Sequence, residues 1–140
     1  MTREPVDGVP GARTGAEVVL VVDDEEVLRK LFSRTLQDQG YRVVEAADGQ
    51  AALDLCQDPT RAIDLVITDV VMPLMSGPEL ASRLDSVRPG MKLIYMSGYL
   101  DNHDVGRTSP HAGYLQKPFG PDALVAKVRE VLSAEVAHGS

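Results

Sequence analysis

The sequence predicts an α/β domain built on a parallel sheet, and three observations carry that prediction. From Glu17 onward, short apolar runs alternate with amphipathic segments, the pattern of repeated βα units. The first run, Val18 to Val22, is apolar throughout and almost entirely β-branched, as expected of a strand covered on both faces. Asp23, Asp24, Asp69, Ser97 and Lys117 all fall at the ends of predicted strands, and parallel sheets gather their sites at the carboxyl ends of strands.

The elements follow in order. The segment from about Glu25 to Gln39 repeats apolar residues at helical spacing, with Val27, Leu28, Leu31, Phe32 and Thr35 on one face and Gly40 placed to stop it. Tyr41 to Glu45 reads as a second strand, more polar and suited to a sheet edge. Asp48 can cap a helix carrying Ala51, Ala52 and Leu55, which Pro59 ends. Ile63 to Thr68 is the third strand and delivers Asp69. In the helix after it, Ser76 and Glu79 have capping-box spacing and Pro78 suits the first turn. Met91 to Met96 is the fourth strand and delivers Ser97, and Tyr114 to Gln116 is the fifth and delivers Lys117. Pro121 and Asp122 open a last helix with Leu124, Val125, Val128, Val131 and Leu132 inward. Between the fourth and fifth strands, Tyr99 to Pro110 holds Asp, Asn, Gly, Thr and Ser, modest or poor helix formers, so the helix expected there is short, frayed or displaced. Residues 1–16, rich in Pro and Gly, read as a flexible tail or linker, 17–137 as the domain and 138–140 as a tail.

Composition narrows the function. The 140 residues suit one domain. A net charge of −7 repels phosphate backbones and argues against direct nucleic-acid binding. Cys56 has no partner for a bridge or a metal-thiolate site and reads as a small buried hydrophobe in a reducing compartment. No apolar stretch approaches the roughly 20 residues of a membrane span, and the start lacks the marks of a secretion signal, so a cytoplasmic domain without membrane insertion is expected.

Asp23, Asp24 and Asp69 would repel one another at adjacent strand ends unless a divalent cation neutralised them. Oxygen ligands with no His or Cys nearby select Mg²⁺ or Mn²⁺ over Zn²⁺. Against this stands the plain alternative that the acidic pair merely caps the first helix. Lys117 can bring an ammonium to Asp69 or to a phosphoryl oxygen, or lie solvated on the surface. Pro118 argues for the first option by fixing the chain directly after it, with an X-Pro bond able to be cis where a sharp turn is required. Ser97 can add a hydroxyl. Asp69, between a dication and an ammonium, is then the natural nucleophile toward phosphorus.

The strings VVDDEE (Val21 to Glu26), DLVITDVVMPLMSG (Asp64 to Gly77), LIYMSGY (Leu93 to Tyr99) and YLQKPF (Tyr114 to Phe119) resemble those of two-component receiver domains, the phosphoacceptor modules of response regulators and hybrid histidine kinases. The likeness covers Glu17 to Val136. It implies a flavodoxin-like (βα)5 fold, a doubly wound parallel sheet of strand order 2-1-3-4-5 in three layers. It also implies that Asp69 is the phosphorylation site, that Asp23, Asp24, Asp69 and the main-chain carbonyl of Val71 hold Mg²⁺ (or Mn²⁺), and that Lys117 contacts the phosphoryl group. Ser97 would be the switch hydroxyl and Tyr114 the aromatic that follows it, although an interior tyrosine is more often plain core. The phosphoryl group would come from a phosphohistidine on a histidine kinase or phosphotransfer domain. The output would be a changed face formed by the fourth helix, fifth strand and fifth helix, offered to a downstream protein. Such a domain assists its own phosphorylation and is not an enzyme. The Pro/Gly-rich start and the YMSGY and LQKPF wording resemble receivers at the C-terminal end of hybrid sensor kinases, with a free-standing receiver as the other expectation.

Two departures bear on rates. Val71 offers no polar group to orient an attacking water and Tyr99 is bulky enough to shield the phosphoryl group, so slow spontaneous dephosphorylation is expected. Serine in place of the frequent threonine at position 97 loosens the switch. Two rivals remain: a metal-dependent phosphohydrolase with an aspartyl-phosphate intermediate, which would want an acidic residue where Val71 stands, and a pseudo-receiver interaction module that is never phosphorylated.

Overall fold

A computed structural model describes residues 17–98 and 112–133. Five parallel strands, β1 (Val18–Val22), β2 (Arg42–Ala46), β3 (Leu65–Asp69), β4 (Lys92–Ser97) and β5 (Gly113–Gln116), form one sheet in the order β2-β1-β3-β4-β5. Among the described residues four helices accompany them: α1 (Glu26–Asp38), α2 (Gly49–Cys56), α3 (Gly77–Val87) and α4 (Pro121–Ser133). The expected weak helix between the fourth and fifth strands lies outside the described residues, and α4 is the helix anticipated after Lys117.

The sequence explains the layering. Every residue of β1 is buried, because alternate side chains serve two cores. Val18, Leu20 and Val22 pack with Ala52, Leu53 and Cys56 of α2 and Leu80 and Leu84 of α3. Val19 and Val21 pack on the other face with Phe32 and Leu36 of α1 and Leu124 and Val128 of α4. Each fully buried aliphatic side chain contributes about 1.5–3 kcal/mol, and parallel pairing makes such continuous apolar strands affordable only inside three layers. Cys56 is buried in the first of these cores, as its reading as a hydrophobe anticipated, and burial pushes its thiol pKa up. β2 occupies an edge of the sheet, which suits its exposed and half-buried residues.

Helix caps fall where the sequence put them. Asp48 accepts a hydrogen bond from the Ala51 amide at 2.8 Å and Ser76 accepts one from the Glu79 amide at 3.2 Å. Glu79 itself turns along the helix to pair with Arg83 at 3.1 Å.

The buried face of α1 is a correction. The expected stripe of Val27, Leu28, Leu31, Phe32 and Thr35 holds in part: Phe32 is buried and Leu28 and Thr35 half-buried, but Ser33 and Leu36 are buried as well, while Val27 is 80% and Leu31 55% exposed. Phe32 belongs to both faces, its ring stacking on Phe119 at a centroid distance of 5.2 Å, and it is Leu36, fully buried against β1 and α4, that takes the place expected of Leu31. Of the expected inward residues of α4, Leu124 and Val128 are buried and Val125, Val131 and Leu132 half-buried.

Candidate functional site

Register delivers the site. Val22 pairs with Ala46 on one side and Thr68 on the other, Asp69 with Met96, and Ser97 with Gln116, so the residues ending β1, β3, β4 and β5 emerge at one end of the sheet. Among the described residues, carboxylate oxygens of Asp23, Asp24 and Asp69 all lie within 4.8 Å of one another. Capping of the first helix does not account for this cluster, because the residue before α1 is Glu25 and its side chain makes no capping hydrogen bond.

Asp23 is fully buried and held at several points. Its amide donates to the Ala46 carbonyl at 3.2 Å, extending the ladder to β2. Its Oδ1 accepts the Glu25 amide at 2.9 Å, and its carbonyl oxygen accepts Arg29 Nη1 at 2.9 Å. Its Oδ2 is buried without a hydrogen-bond partner among the described residues and lies 3.8 Å from Lys117 Nζ. A buried carboxylate oxygen without a hydrogen bond is costly. This one faces two further carboxylates, so the donor set fits a hard dication that prefers oxygen, Mg²⁺ or Mn²⁺.

Asp69, 5% exposed, closes β3 and receives Lys117 Nζ on Oδ1 at 2.6 Å. Burial raises its pKa to about 7, the Lys117 hydrogen bond pulling down and the Asp23 charge pushing up. Burial works to lower the Lys117 pKa, but its hydrogen bond and charge interaction with Asp69, joined by Asp23 and Glu25, outweigh that and raise it. The ammonium therefore stays charged across the neutral range.

Local structure aims both partners. The Lys117 amide donates to the Ser97 carbonyl at 2.8 Å, the Lys117–Pro118 peptide is cis, and Phe119 rests on Phe32 of α1. After Asp69, the Val70 amide donates to Met96 and the Gly77 amide to Val70, folding the loop back against the strand end. Gly77 is required there, since a Cβ would collide with the carbonyl oxygen of Asp69. Met72 and Met75 are buried, while Val71 is 62% and Leu74 97% exposed, Leu74 at φ +70°.

Ser97 is buried at the end of β4, beside the site. Tyr114 is half-buried in β5, with its phenol pKa raised by burial, and stacks on the fully buried Tyr95 of β4 at 5.8 Å. Tyr99 lies outside the described residues. Sequence reasoning passed over Arg29, Tyr95 and Glu45. Glu45 carried a usable signal, a lone carboxylate in a strand with apolar neighbours. Arg29 had none, being an ordinary helical arginine until the fold brings β2 beside β1.

Fold and site together define a two-component receiver. The response regulator receiver domain family matches residues 19–129, and the chain belongs to that family. It is 38% identical over 124 residues to the sensor kinase CckA of Brucella abortus, covering 87% of this chain and 13% of that protein. Among solved structures it resembles a response regulator receiver protein from Sinorhizobium medicae, with TM-score 0.76 and 30% identity over 85% of this chain and 96% of that one. The receiver domain of the hybrid histidine kinase CckA aligns with TM-score 0.70 and 30% identity over 83% and 99% of the two chains. The chain spans between 13% and 58% of the length of curated relatives it matches. Among the described residues no helix is long and apolar enough to cross a membrane.

Proposed function

We propose that Asp69 accepts a phosphoryl group from a phosphohistidine, with Asp23, Asp24, Asp69 and the main-chain carbonyl of Val71 holding Mg²⁺. The observation that carries this reading is the 2.6 Å contact of Lys117 Nζ with Asp69 Oδ1 inside a carboxylate cluster that contains Asp23 Oδ2, buried with no hydrogen-bond partner among the described residues. When bound, the dication neutralises charge on the transferring phosphoryl oxygens. The chain's own residues do the rest. Asp69, ionised, forms the new P–O bond as the P–N bond breaks and the imidazole leaves with its electron pair. Lys117 shifts its ammonium from the carboxylate to a phosphoryl oxygen, and Ser97 supplies a hydroxyl to another. No separate general base is needed, because a carboxylate attacks without losing a proton.

The donor is a histidine kinase or phosphotransfer domain. Val27 and Leu31 on α1 and Val71 and Leu74 after β3 are exposed apolar residues on the two segments that carry the carboxylates, and they offer the donor a seat. The new charge draws Ser97 inward and lets Tyr114 follow, changing the face that β5 and α4 present, which a downstream protein reads. The domain, spanning 17–137, is a cytoplasmic phosphoacceptor rather than a turnover enzyme, and its likeness to the sensor kinase CckA supports a receiver of a hybrid sensor kinase over a free-standing one.

Incubation with MgCl₂ and acetyl phosphate, followed by intact mass over time, tests the reading. One phosphate adduct, lost over many minutes as the exposed Val71 predicts and absent in Asp69→Asn, is expected. Rapid release of inorganic phosphate would support a phosphohydrolase, and no adduct a pseudo-receiver.

A further inference from the structure

The carboxylates of the site are not equally secured. Asp23 and Asp69 are buried and bonded, whereas Asp24 is exposed, and its direction depends on the backbone of the loop between β1 and α1. The carbonyl of Asp23 and the amide of Asp24 belong to one peptide plane, so whatever holds that carbonyl orients the start of Asp24. Arg29 holds it, through Nη1 at 2.9 Å. The guanidinium is itself gripped from the far side, with Nε donating to Glu45 Oε1 at 3.0 Å, and its side chain is only 13% exposed. Glu45 lies in β2 one residue before Ala46, whose carbonyl takes the Asp23 amide. A chain of contacts therefore runs from the edge strand through α1 to the peptide between the two aspartates.

We propose that Arg29 is a positioning residue for the metal site, fixing the Asp23–Asp24 peptide so that the Asp24 carboxylate is aimed before the cation arrives. Mg²⁺ demands near-ideal octahedral geometry, so a ligand that must first be ordered weakens binding. Two bonds in different directions from one planar group need arginine; a lysine ammonium on its flexible stem holds one geometry less firmly. A bare guanidinium so near the site would repel the cation, and the Glu45 carboxylate offsets that charge. Lys30, 3.3 Å from the same Glu45 oxygen, is 61% exposed and steadies Glu45 from the solvent side.

The inference rests on the metal site proposed above, and the test separates the two. Mg²⁺ affinity of the full chain is measured by backbone-amide NMR titration with MgCl₂, without phosphodonor, for the parent, Arg29→Ala, Arg29→Lys and Glu45→Ala, with thermal midpoints recorded alongside. A parent that binds no Mg²⁺ would overturn the metal site itself. With the parent binding, a loss of about tenfold is expected for Arg29→Ala, as is usual when the support of a metal ligand is removed. Arg29→Lys should show a smaller loss and Glu45→Ala a loss in the same direction, and the Asp24 amide resonance of all three should shift before any Mg²⁺ is added. Lowered midpoints with unchanged Mg²⁺ affinity would assign Arg29 a structural role only. Tighter binding in Arg29→Ala would make it merely a repelling charge. Either result overturns the proposal. Should Arg29→Ala fail to fold, the lysine and Glu45 variants decide it by the same criteria.

Discussion

The ammonium of Lys117 lies 2.6 Å from Asp69 Oδ1 and 3.8 Å from Asp23 Oδ2, so one side chain at the end of β5 answers carboxylates delivered by β3 and β1. Removing it leaves two nearly buried acids facing each other and takes away the charge that would meet the transferred phosphoryl group. Lys117→Ala should slow adduct formation from acetyl phosphate by about 100-fold at saturating MgCl₂, the scale of losing one preorganised electrostatic partner. A rate within a few-fold of the parent, followed by intact mass, would refute this role.

The raised pKa of Asp69 sets a pH dependence with a definite sign. Its folded value of about 7 lies above the usual carboxylate range, so the folded chain holds this proton more tightly than the unfolded chain does. The favourable contribution is complete in acid below the unfolded value of about 4 and is lost as pH rises to about 7. Without Mg²⁺, Asp69→Asn should therefore stabilise the domain above neutrality by about 1–2 kcal/mol, discounted for solvent screening, and the advantage should vanish below about pH 4. Urea unfolding across this range checks it. Mg²⁺ binding should correspondingly release a proton and weaken below pH 7.

Gly77 makes room for the Asp69 carbonyl, and a methyl group there also comes within 3.1 Å of Val70 Cα. Both neighbours are backbone and cannot rotate away. Gly77→Ala should cost about 1–3 kcal/mol and shift Asp69 enough to reduce phosphorylation. Gly49→Ala, whose nearest atoms belong to the flexible Met75 side chain, should cost less in the same thermal melts.

Leu74 adopts φ +70° with its side chain 97% exposed, so it accepts left-handed strain without any burial to offset it within the domain. Leu74→Asn should raise stability by about 0.5–1 kcal/mol while leaving the rate with acetyl phosphate unchanged. If the leucine seats the phosphohistidine donor, the same variant slows transfer from the kinase domain, and comparing the two donors reads both effects.

Much of this was legible before the fold was known. Strand ends, helix caps at Asp48 and Ser76, and the edge placement of β2 are local matters, written in residue type and spacing within one element. The convergence of the candidate site residues was legible for a related reason: in a parallel sheet every strand points the same way, so the residue after each apolar run must arrive at a common rim. The buried face of α1 was legible only in part, because Leu31 and Leu36 fit helical periodicity equally well. The core shared with β1 and α4 takes Leu36 and leaves Leu31 exposed, a choice made only when those distant elements assemble.

By itself the sequence determined the parallel α/β class, the strand ends and the acidic set, since each follows from short-range chemistry. Only the tertiary structure decided that Lys117 reaches both Asp69 and Asp23, that Gly77 abuts the Asp69 carbonyl, and that Arg29, itself held by Glu45, grips the peptide between two aspartates. Those contacts join different elements, and a hydrogen bond or ion pair depends on ångström distances that exist only after the strands have paired in register.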